Sequence, residues 1–521
     1  MSRTRFMRGH SASGTGGNVA VMTTSPAAVA DSSATPPHPP QAAGTVSGRA
    51  GTIAVVVVLG AAFMDLLDAT IVSVAAPAIQ TGLHASGSAL QWMVAGYTLA
   101  LGAGLITGGR IGDQYGRRKI FLIGLTGFIL ASALCALAGS AGVLIAMRVL
   151  QGLAGGLMVP QVFGIIRSSF APAARAKAFG AYGAVLGLAS IAGPLLGGLL
   201  VDVNLFGLGW RTIFWVNVPI GVIGLALGAK FLPTSPPESA SHRTSLDLIG
   251  AALASLTAVL VLLPLVQGRD QGWPWWGFVL LGASPITAAL FLGREERLAC
   301  HGGEPILNPA LLRNRAYASG LASSLLFFGA IGPFFLCLSL YLQLGTGRSA
   351  WQTGLVMLPY AVGSILTSGI GVALAAKAGR ALLITGSLVL AASQLLLWQV
   401  VRDGAQPSYW VLALPLFIGG LGLGLAAPIL INVILAGIPG RDAGAAGGVL
   451  TTVNQIGGAA GVAVLVTLFF SALGQPRAHG ASPLEGFSHA LATILPWQVA
   501  LYIVAALLML LLPKKAADHQ Q

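Results

Sequence analysis

The segment GGRIGDQYGRRK, residues 108–119, lies between two long apolar runs and places one acid among glycines and basic residues. The glycines permit a tight turn between two helix ends, and Asp113 can accept hydrogen bonds or sit at a helix N-terminus, where the helix dipole favours an anion. A plain cluster of basic residues at the end of a span would explain Arg117 to Lys119, but it would not explain the acid. We therefore interpret the segment as a structured turn that joins two membrane-spanning helices.

The composition of the whole chain is that of a membrane protein. Hydrophobic residues make up 55% and charged residues 8% of the 521 residues, and the mean hydropathy is +0.82. Apolar runs long enough to cross a membrane as helices recur along the chain, and their continuity excludes an outer-membrane barrel. The formal net charge is +13, but the basic residues are scattered over short connections, which argues against nucleic acid as a partner.

The apolar runs predict an all-α polytopic protein with about fourteen spans. Their approximate positions are 52–79, 88–107, 120–138, 142–165, 178–202, 212–232, 246–266, 274–293, 317–343, 351–374, 381–400, 409–436, 444–472 and 495–513. Polar stretches near 233–245 and 294–316 enclose one pair of spans. The predicted parts are a disordered cytoplasmic tail (1–48), a six-helix bundle (49–235), two linker transmembrane helices (236–300), a second six-helix bundle (301–513) and a short cytoplasmic tail (514–521).

Lys and Arg are distributed unequally between the two sides that this span count defines. One side receives most of the basic residues, including those at 110–119, whereas the other receives only Arg211, Arg269, Arg348, Arg402 and Arg477. Because basic connections stay on the cytoplasmic side, the asymmetry predicts a multi-pass protein of the cell membrane with both termini in the cytoplasm. Arg148 fits neither side.

The segment at 108–119 resembles the signature of the major facilitator superfamily, G-x-L-x-D-x-x-G-R-[RK]. The matching residues are Gly109, Ile111, Asp113, Gly116, Arg117 and Arg118. The resemblance implies a major facilitator fold, with two six-helix bundles and here two additional linker transmembrane helices. It also implies that these residues form a conformational latch between the two bundles in the outward-open state, with Asp113 facing the thirteenth span near Gly444.

Arg148 lies inside the fourth span and needs an aqueous cavity or an acid beside it, because an arginine does not give up its proton. Together with Gln151 and Gly152, it also resembles the R-x-x-Q-G pattern of the superfamily in this span. An alternative reading is a buried ion pair with a purely structural role.

The fifth span contains GAVLGLASIAGPLLGG, residues 183–198, in which glycines recur at a spacing of four. Such spacing also occurs in ordinary close packing of helices, and Pro194 bends the helix. The G-P-x-x-G-G part resembles the antiporter signature of the superfamily, which is typical of exporters. The residues assigned to this antiporter motif are Gly187, Gly193, Pro194, Gly197 and Gly198.

Four further stretches resemble the fourteen-span drug:proton antiporter branch of the superfamily. They are LDATIVSVAAP at 67–77, QWMVAGYTLA at 91–100, WRTIFWVNVPIG at 210–221 and GGVLTTVNQIGGAAGVA at 447–463. Within the third of them we interpret Trp210, Arg211 and Asn217 as structural residues at the outer membrane face.

Two acids, Asp65 and Asp68, lie three residues apart in the first span. They share a helix face and should titrate as a coupled pair, and Asp68 reaches a depth close to that of Arg148. We hypothesise that Asp68 carries a coupling proton, that Arg148 stabilises its deprotonated form, and that Asp65 adjusts proton affinity or attracts a cationic substrate. An alternative is that Asp65 is only a polar lining residue.

These observations predict a proton-coupled multidrug or natural-product efflux antiporter that works by alternating access. The expected energy source is a proton gradient without a cofactor, because no phosphate-binding G-x-x-x-x-G-K-[ST] occurs and no Lys follows a Gly. A proton-driven symporter for a small nutrient on the same fold is the competing function. An enzyme is not expected, because the spans contain neither a metal-ligand cluster nor a Ser/His/Asp set at one depth.

The substrate cavity is expected near the membrane midplane, between the two bundles. Candidate lining residues are Trp92, Tyr97, Tyr182, Phe335, Tyr360, Asn432, Asn454 and Gln455, although aromatic side chains in spans also serve packing alone. Spans nine to fourteen carry no charged residue away from their ends, which favours a small amphipathic or hydrophobic substrate, neutral or cationic. We expect a monomer whose other partners are protons and membrane lipid.

Overall fold

The computed structural model describes residues 48–170, 172–233, 247–268, 271–301, 305, 309–404, 406–436, 438, 443–478 and 482–513. Within these ranges the chain forms helices and no strand. Because backbone groups inside a bilayer must be hydrogen-bonded within the protein, helices are the expected form of such apolar runs. The prediction of an all-α fold is therefore confirmed, while both predicted tails lie outside the described residues, apart from Gly48.

The helices follow one another in a simple order. They are α1 Gly48–Leu83, α2 Gly87–Tyr115, α3 Arg117–Ala136, α4 Ala141–Ser169, α5 Pro172–Val203, α6 Thr212–Trp215, α7 Asn217–Phe231, α8 Leu248–Gln267, α9 Trp275–Cys300, α10 Pro309–Leu312, α11 Arg315–Leu340, α12 Ala350–Val401, α13 Tyr409–Leu435, α14 Ala443–Gly461, α15 Thr467–Ala478 and α16 Pro483–Met509. Short π-helical turns extend α11 over Tyr341–Gly345 and join α14 to α15 over Val462–Val466.

Twelve segments among the described residues are long and apolar enough to cross a membrane. The chain is thus a multi-pass membrane protein. Helices α2 and α5 contain 29 and 32 residues and coincide with predicted spans, but they are not among the twelve. The count of fourteen spans therefore stays a prediction, as does the division into two bundles and a linker.

Helix α12 differs from the sequence-based expectation. It runs through 52 residues and covers two predicted spans, 351–374 and 381–400, without the loop that was expected between them. The backbone leaves helical geometry only at Ala378, where φ is −137° and ψ is 24°. The element thus consists of two helices that meet at a kink at Ala378, and it contains two segments long and apolar enough to cross a membrane, Ala350–Gly371 and Lys377–Val401.

Polar side chains define where several helices begin. The Ser349 and Ser482 hydroxyls each accept a hydrogen bond from the backbone amide three residues later. The side chains of Gln352 and Glu485 in turn accept hydrogen bonds from the backbone amides of these serines, which completes two capping boxes. Asp247 caps α8 through the Gly250 amide at 2.8 Å. Such caps fix the ends of helices at the polar connections.

Helices α8 and α9 pack mainly on each other, and α8 also contacts α2 and α14. Arg294 of α9 forms an ion pair with Asp247 at 2.9 Å. Burial would raise the pKa of Asp247, but hydrogen bonds from the Gly250 amide and from Arg294 hold it below its ordinary value. An ionised Asp247 thus ties the start of α8 to α9.

The helical assembly has two ends, which are named here after one residue at each. The Gly116 end carries the connection between α2 and α3, and the Ser349 end carries the connections at 84–86, 204–211 and 346–349. Gly116 itself has a φ of 95°, a conformation that favours glycine. The predicted tight turn at this position is confirmed.

Candidate functional site

Asp68 on α1 and Arg148 on α4 form a buried ion pair. The side chains are 0% and 1% exposed, and Arg148 Nη1 donates to Asp68 Oδ2. The same guanidinium donates from Nε to the Met93 carbonyl at 3.2 Å and from Nη1 to Gln151 Oε1 at 2.8 Å. The predicted meeting of Asp68 and Arg148 is therefore present in the structure, and Arg148 is held by more than the acid.

Neutral amides complete the surroundings of Asp68. Its Oδ1 accepts hydrogen bonds from Gln151 Nε2 at 3.0 Å and from Asn217 Nδ2 at 2.9 Å. Asn217 also donates to Ser132 Oγ at 3.1 Å, and Ser132 donates to the Phe214 carbonyl at 2.9 Å. Both carboxylate oxygens of Asp68 thus have hydrogen-bond donors, and the one from Arg148 is charge-assisted.

Asn217, interpreted from the sequence as a structural residue at the outer face, is a hydrogen-bond partner of the ion pair. Asn217 is 0% exposed and contacts Asp68 directly. Gln151 was recognised only as part of a motif, yet its position one helical turn from Arg148 places both side chains on one face of α4, which could have identified it as a partner. Ser132 carries no signal of this kind in the sequence.

Asp65 has different surroundings from Asp68. Its Oδ1 accepts a hydrogen bond from the Tyr97 hydroxyl at 2.6 Å. The Tyr97 ring lies 4.0 Å from the guanidinium carbon of Arg148, a cation–π distance. Tyr97, predicted as a cavity residue, thus stands between Asp65 and Arg148, and we call Asp65, Asp68, Tyr97 and Arg148 the acid cluster.

Close packing of α2 against α4 positions the acid cluster. A Cβ on Gly152 would lie 2.4 Å from the Tyr97 carbonyl, and one on Gly156 would lie 2.6 Å from the Gly104 Cα. Only glycine allows so close an approach of the two backbones. This contact between α2 and α4, called the α2–α4 seam, brings Tyr97 on α2 and Arg148 on α4 to contact distance.

The antiporter motif lies at two helix contacts. A Cβ on Gly193 would lie 1.9 Å from Thr70 Oγ1, and one on Gly198 would lie 2.3 Å from the Ala350 carbonyl. The motif thus packs on α1 directly after Asp68 and on the start of α12. Gly197 lies against Ile71 and Pro194 against Gly354 of α12, while the surroundings of Gly187 lie outside the described residues.

The predicted latch residues lie at the Gly116 end. Arg117 donates to the Gly164 carbonyl of α4 at 2.7 Å, and Arg118 donates to the Ala229 carbonyl of α7. Gly109 lies against Pro160. The side chain of Asp113 lies outside the described residues, so its predicted contact with the thirteenth span stays a prediction.

The remaining cavity candidates fall into separate groups within the described part of the chain. Phe335 and Tyr360 form an edge-on pair with centroids 5.0 Å apart, and Tyr182 forms another with Phe163 at 4.9 Å.

The polar candidates have separate surroundings. Asn454 accepts a hydrogen bond from Ser324, and Gln455 lies against Gly102. The buried indole nitrogen of Trp92 has no hydrogen-bond partner among the described residues. The side chain of Asn432 lies outside the described residues. Their common role as a cavity lining stays a prediction.

Comparison with known proteins identifies the family. The family model of the Major Facilitator Superfamily matches residues 58–462. The chain belongs to this superfamily. It is a transporter and not an enzyme, and its substrate is a small molecule.

Three curated relatives are more specific. The chain is 43% identical over 439 residues to a protein named "Probable actinorhodin transporter" from Streptomyces coelicolor. The aligned region covers 83% of this chain and 75% of the relative. It is 36% identical to the "Tetracenomycin C resistance and export protein" of Streptomyces glaucescens, over 79% and 74% of the two chains. A puromycin resistance protein of Streptomyces alboniger is 33% identical over 87% and 89%.

Solved structures agree with the fold alone. A peptide transporter crystallised with sulfate aligns with a TM-score of 0.64 at 17% identity and covers 89% of this chain and 96% of its own. A D-xylose-proton symporter aligns with a TM-score of 0.61 at 15% identity, over 88% and 97% of the two chains. Both likenesses support the predicted major facilitator fold.

Proposed function

We propose that this transporter exports a small antibiotic-like natural product from the cell in exchange for protons. The observation that carries the proposal is the acid cluster, which holds two carboxyl groups and one guanidinium inside membrane-spanning helices. A buried ionisable group in a span is costly, and such groups mark ion and proton pathways. Two acids with one cation leave a carboxyl group that can exchange a proton.

The names of the relatives support export of a natural product. They concern transport of actinorhodin, resistance to and export of tetracenomycin C, and resistance to puromycin. Resistance follows when a transporter lowers the cytoplasmic concentration of a toxic compound. A small and largely apolar natural product also suits helices α11–α16, where the cavity candidates Phe335, Tyr360 and Asn454 are aromatic or neutral and polar.

The proposed orientation places the Gly116 end in the cytoplasm. Arg110, Arg117, Arg118 and Lys119 all lie at this end, and basic residues favour the cytoplasmic side. The Ser349 end then faces the outside, and both termini are cytoplasmic. Alternating access would open each end in turn around the substrate site.

A proton-driven symporter for a small nutrient would use the same fold and the same kind of acid. The similarity to the D-xylose-proton symporter is limited to 15% identity, however, and concerns the fold alone. The antiporter motif and the relatives at 33–43% identity favour export.

Transport into inside-out membrane vesicles tests the proposal. Vesicles from cells that express the chain are energised to an acidic interior and offered tetracenomycin C or puromycin. Export coupled to protons predicts accumulation inside the vesicles that collapses with a protonophore. A symporter would instead carry a preloaded compound out of the acidic interior, and that result would refute antiport.

A susceptibility panel provides the second measurement. We expect cells that express the wild-type chain to survive higher concentrations of one or more of these compounds, and cells with Asp68→Asn to lose the protection. The matched control is Asp403→Asn, the same chemical change at an exposed position outside the acid cluster. Equal protection by wild type and Asp68→Asn would contradict a role for the cluster in coupling.

A further inference from the structure

The partners of the two acids in the cluster are unequal. Asp68 accepts hydrogen bonds from Arg148, Gln151 and Asn217, so three donors, one of them fully charged, surround its carboxyl group. Asp65 accepts from Tyr97 alone and forms no ion pair among the described residues. The single guanidinium is therefore already matched by Asp68.

The groups that face Asp65 add no second cation. Tyr97 of α2 donates to it, and Arg148 of α4 lies beyond the Tyr97 ring and beside Asp68. Tyr182 of α5 interacts with Asp65 electrostatically but is neutral at ordinary pH. A buried carboxyl without a cationic partner is normally kept neutral by a proton, because ionisation away from water is expensive.

Asp65 packs closely against α4. A Cβ on Gly155 would lie 3.0 Å from Asp65 Oδ1, so the absence of a side chain at Gly155 lets the carboxyl group lie against this helix. Asp65 is also 6% exposed, whereas Asp68 is 0% exposed. Of the two acids, Asp65 is therefore the more accessible to a proton.

We infer that Asp65 carries the coupling proton, while Asp68 serves as the fixed ion-pair partner of Arg148. This inference deepens the proposed function and rests on it, and it differs from the sequence-based prediction that assigns the proton to Asp68. Protonation forms an O–H bond on the Asp65 carboxyl and brings the acid cluster to zero net charge. Release of the proton restores one negative charge, which attracts a cationic or hydrogen-bond-donating group of the substrate.

Infrared difference spectroscopy on the purified full-length protein tests the inference with protons as the only ligand. A change of pH should produce the carbonyl band of a protonated carboxyl in the wild type. We expect Asp65→Asn to abolish the band and Asp65→Glu to restore it at a shifted frequency, while Asp403→Asn keeps the Asp65-dependent band and its midpoint. A band that persists in Asp65→Asn with the wild-type midpoint would overturn the inference and return the proton to Asp68.

Tyr97→Phe gives an independent measurement if Asp65→Asn fails to fold. The Tyr97 hydroxyl donates to the carboxylate, so its removal withdraws stabilisation from the ionised form. Hydrogen bonds to charged groups contribute roughly 1.5–3 kcal/mol, so the midpoint of protonation should move to higher pH by about one unit or more. An unchanged midpoint would place the proton elsewhere.

The two proposals fail in different ways. A wild-type protein that shows the Asp65-dependent band but transports none of the offered compounds in vesicles would refute the proposed function and leave Asp65 as the protonation site. A wild-type protein with proton-coupled export, combined with an Asp65→Asn variant that keeps the same coupling, would refute the inference and leave the proposed function intact.

Discussion

Two residues of one type, three positions apart on one helix, have different physical roles because their partners differ. Asp68 meets a guanidinium and two amides, whereas Asp65 meets one phenol. The low dielectric of the surroundings makes these differences large, since each unmatched charge or donor is costly there. The partners, and not the acid itself, decide which carboxyl can exchange a proton.

The buried pair predicts a particular pattern of stability. Either Asp68→Leu or Arg148→Met leaves one charge buried without its partner, which should lower the free energy of unfolding by about 3–5 kcal/mol. The double variant removes both charges and should recover most of that loss. Thermal unfolding in detergent provides the measurement for the two single variants and the double variant.

The exposed pair Arg402 and Asp403 is the matched control, since its side chains are 43% and 74% exposed. The corresponding single changes there should each alter stability by less than about 1 kcal/mol. A double variant of the buried pair that is no more stable than the single variants would show that Asp68 and Arg148 do not stabilise each other.

The charged residues of the site could be predicted from the sequence, and most of its neutral residues could not. A charge inside an apolar span requires a partner, so Asp65, Asp68 and Arg148 could be recognised from the sequence as candidate site residues. Asn217 gave no comparable signal, because a single amide in a span also fits structural roles. Its partner Asp68 is 149 positions away in the chain, and the two residues come into contact only in the folded structure.

At the scale of helices, small residues decide how accurately the site is held. The α2–α4 seam brings Gly104 and Gly156 into backbone contact, and the same seam sets Gly152 against the Tyr97 carbonyl. Any side chain in the seam would separate the helices and lengthen the contact between Tyr97 and Arg148. The glycines thus support the acid cluster without touching its carboxyl groups.

Gly156→Ala should reduce both stability and export. The added methyl group would lie 2.6 Å from the Gly104 Cα, so the backbones must separate, and overpacking of this kind lowers stability by about 1–3 kcal/mol. The control is Gly142→Ala on the same helix, where nothing lies within 4 Å of the new Cβ. Thermal unfolding and vesicle transport should distinguish the two variants, and equal behaviour would contradict a role for the seam.

The positions of the helices followed from hydropathy, but their lengths did not. A span at 88–107 was predicted, whereas α2 continues to Tyr115 through the polar turn segment. Hydropathy reports only the part of a helix that lies in lipid, while the backbone hydrogen bonds of a helix continue into polar surroundings. The kink at Ala378, which takes the place of the expected loop in α12, escaped prediction for the same reason.

At the scale of the molecule, contacts between α1–α7 and α11–α16 close the Ser349 end. Gln343 donates to the Val74 carbonyl at 2.7 Å, which joins the end of α11 to α1. The Trp351 amide donates to Asp202 Oδ2 at 3.1 Å, which joins α12 to the end of α5. Export by alternating access requires these contacts to break in every cycle, because a substrate leaves through this end under the proposed orientation.

A disulfide across this end should therefore stop transport reversibly. Asp202→Cys combined with Trp351→Cys places one thiol on each side of the contact, in a background where the exposed Cys300 is replaced by Ser and the other native cysteines are buried. Oxidation should abolish accumulation of the exported compound in vesicles, and a reductant should restore it. Transport by each single-cysteine variant should be unaffected by the oxidant and by the reductant. Undiminished transport by the fully cross-linked protein would mean that the Ser349 end does not open between α5 and α12, and the exit path would then have to lie elsewhere.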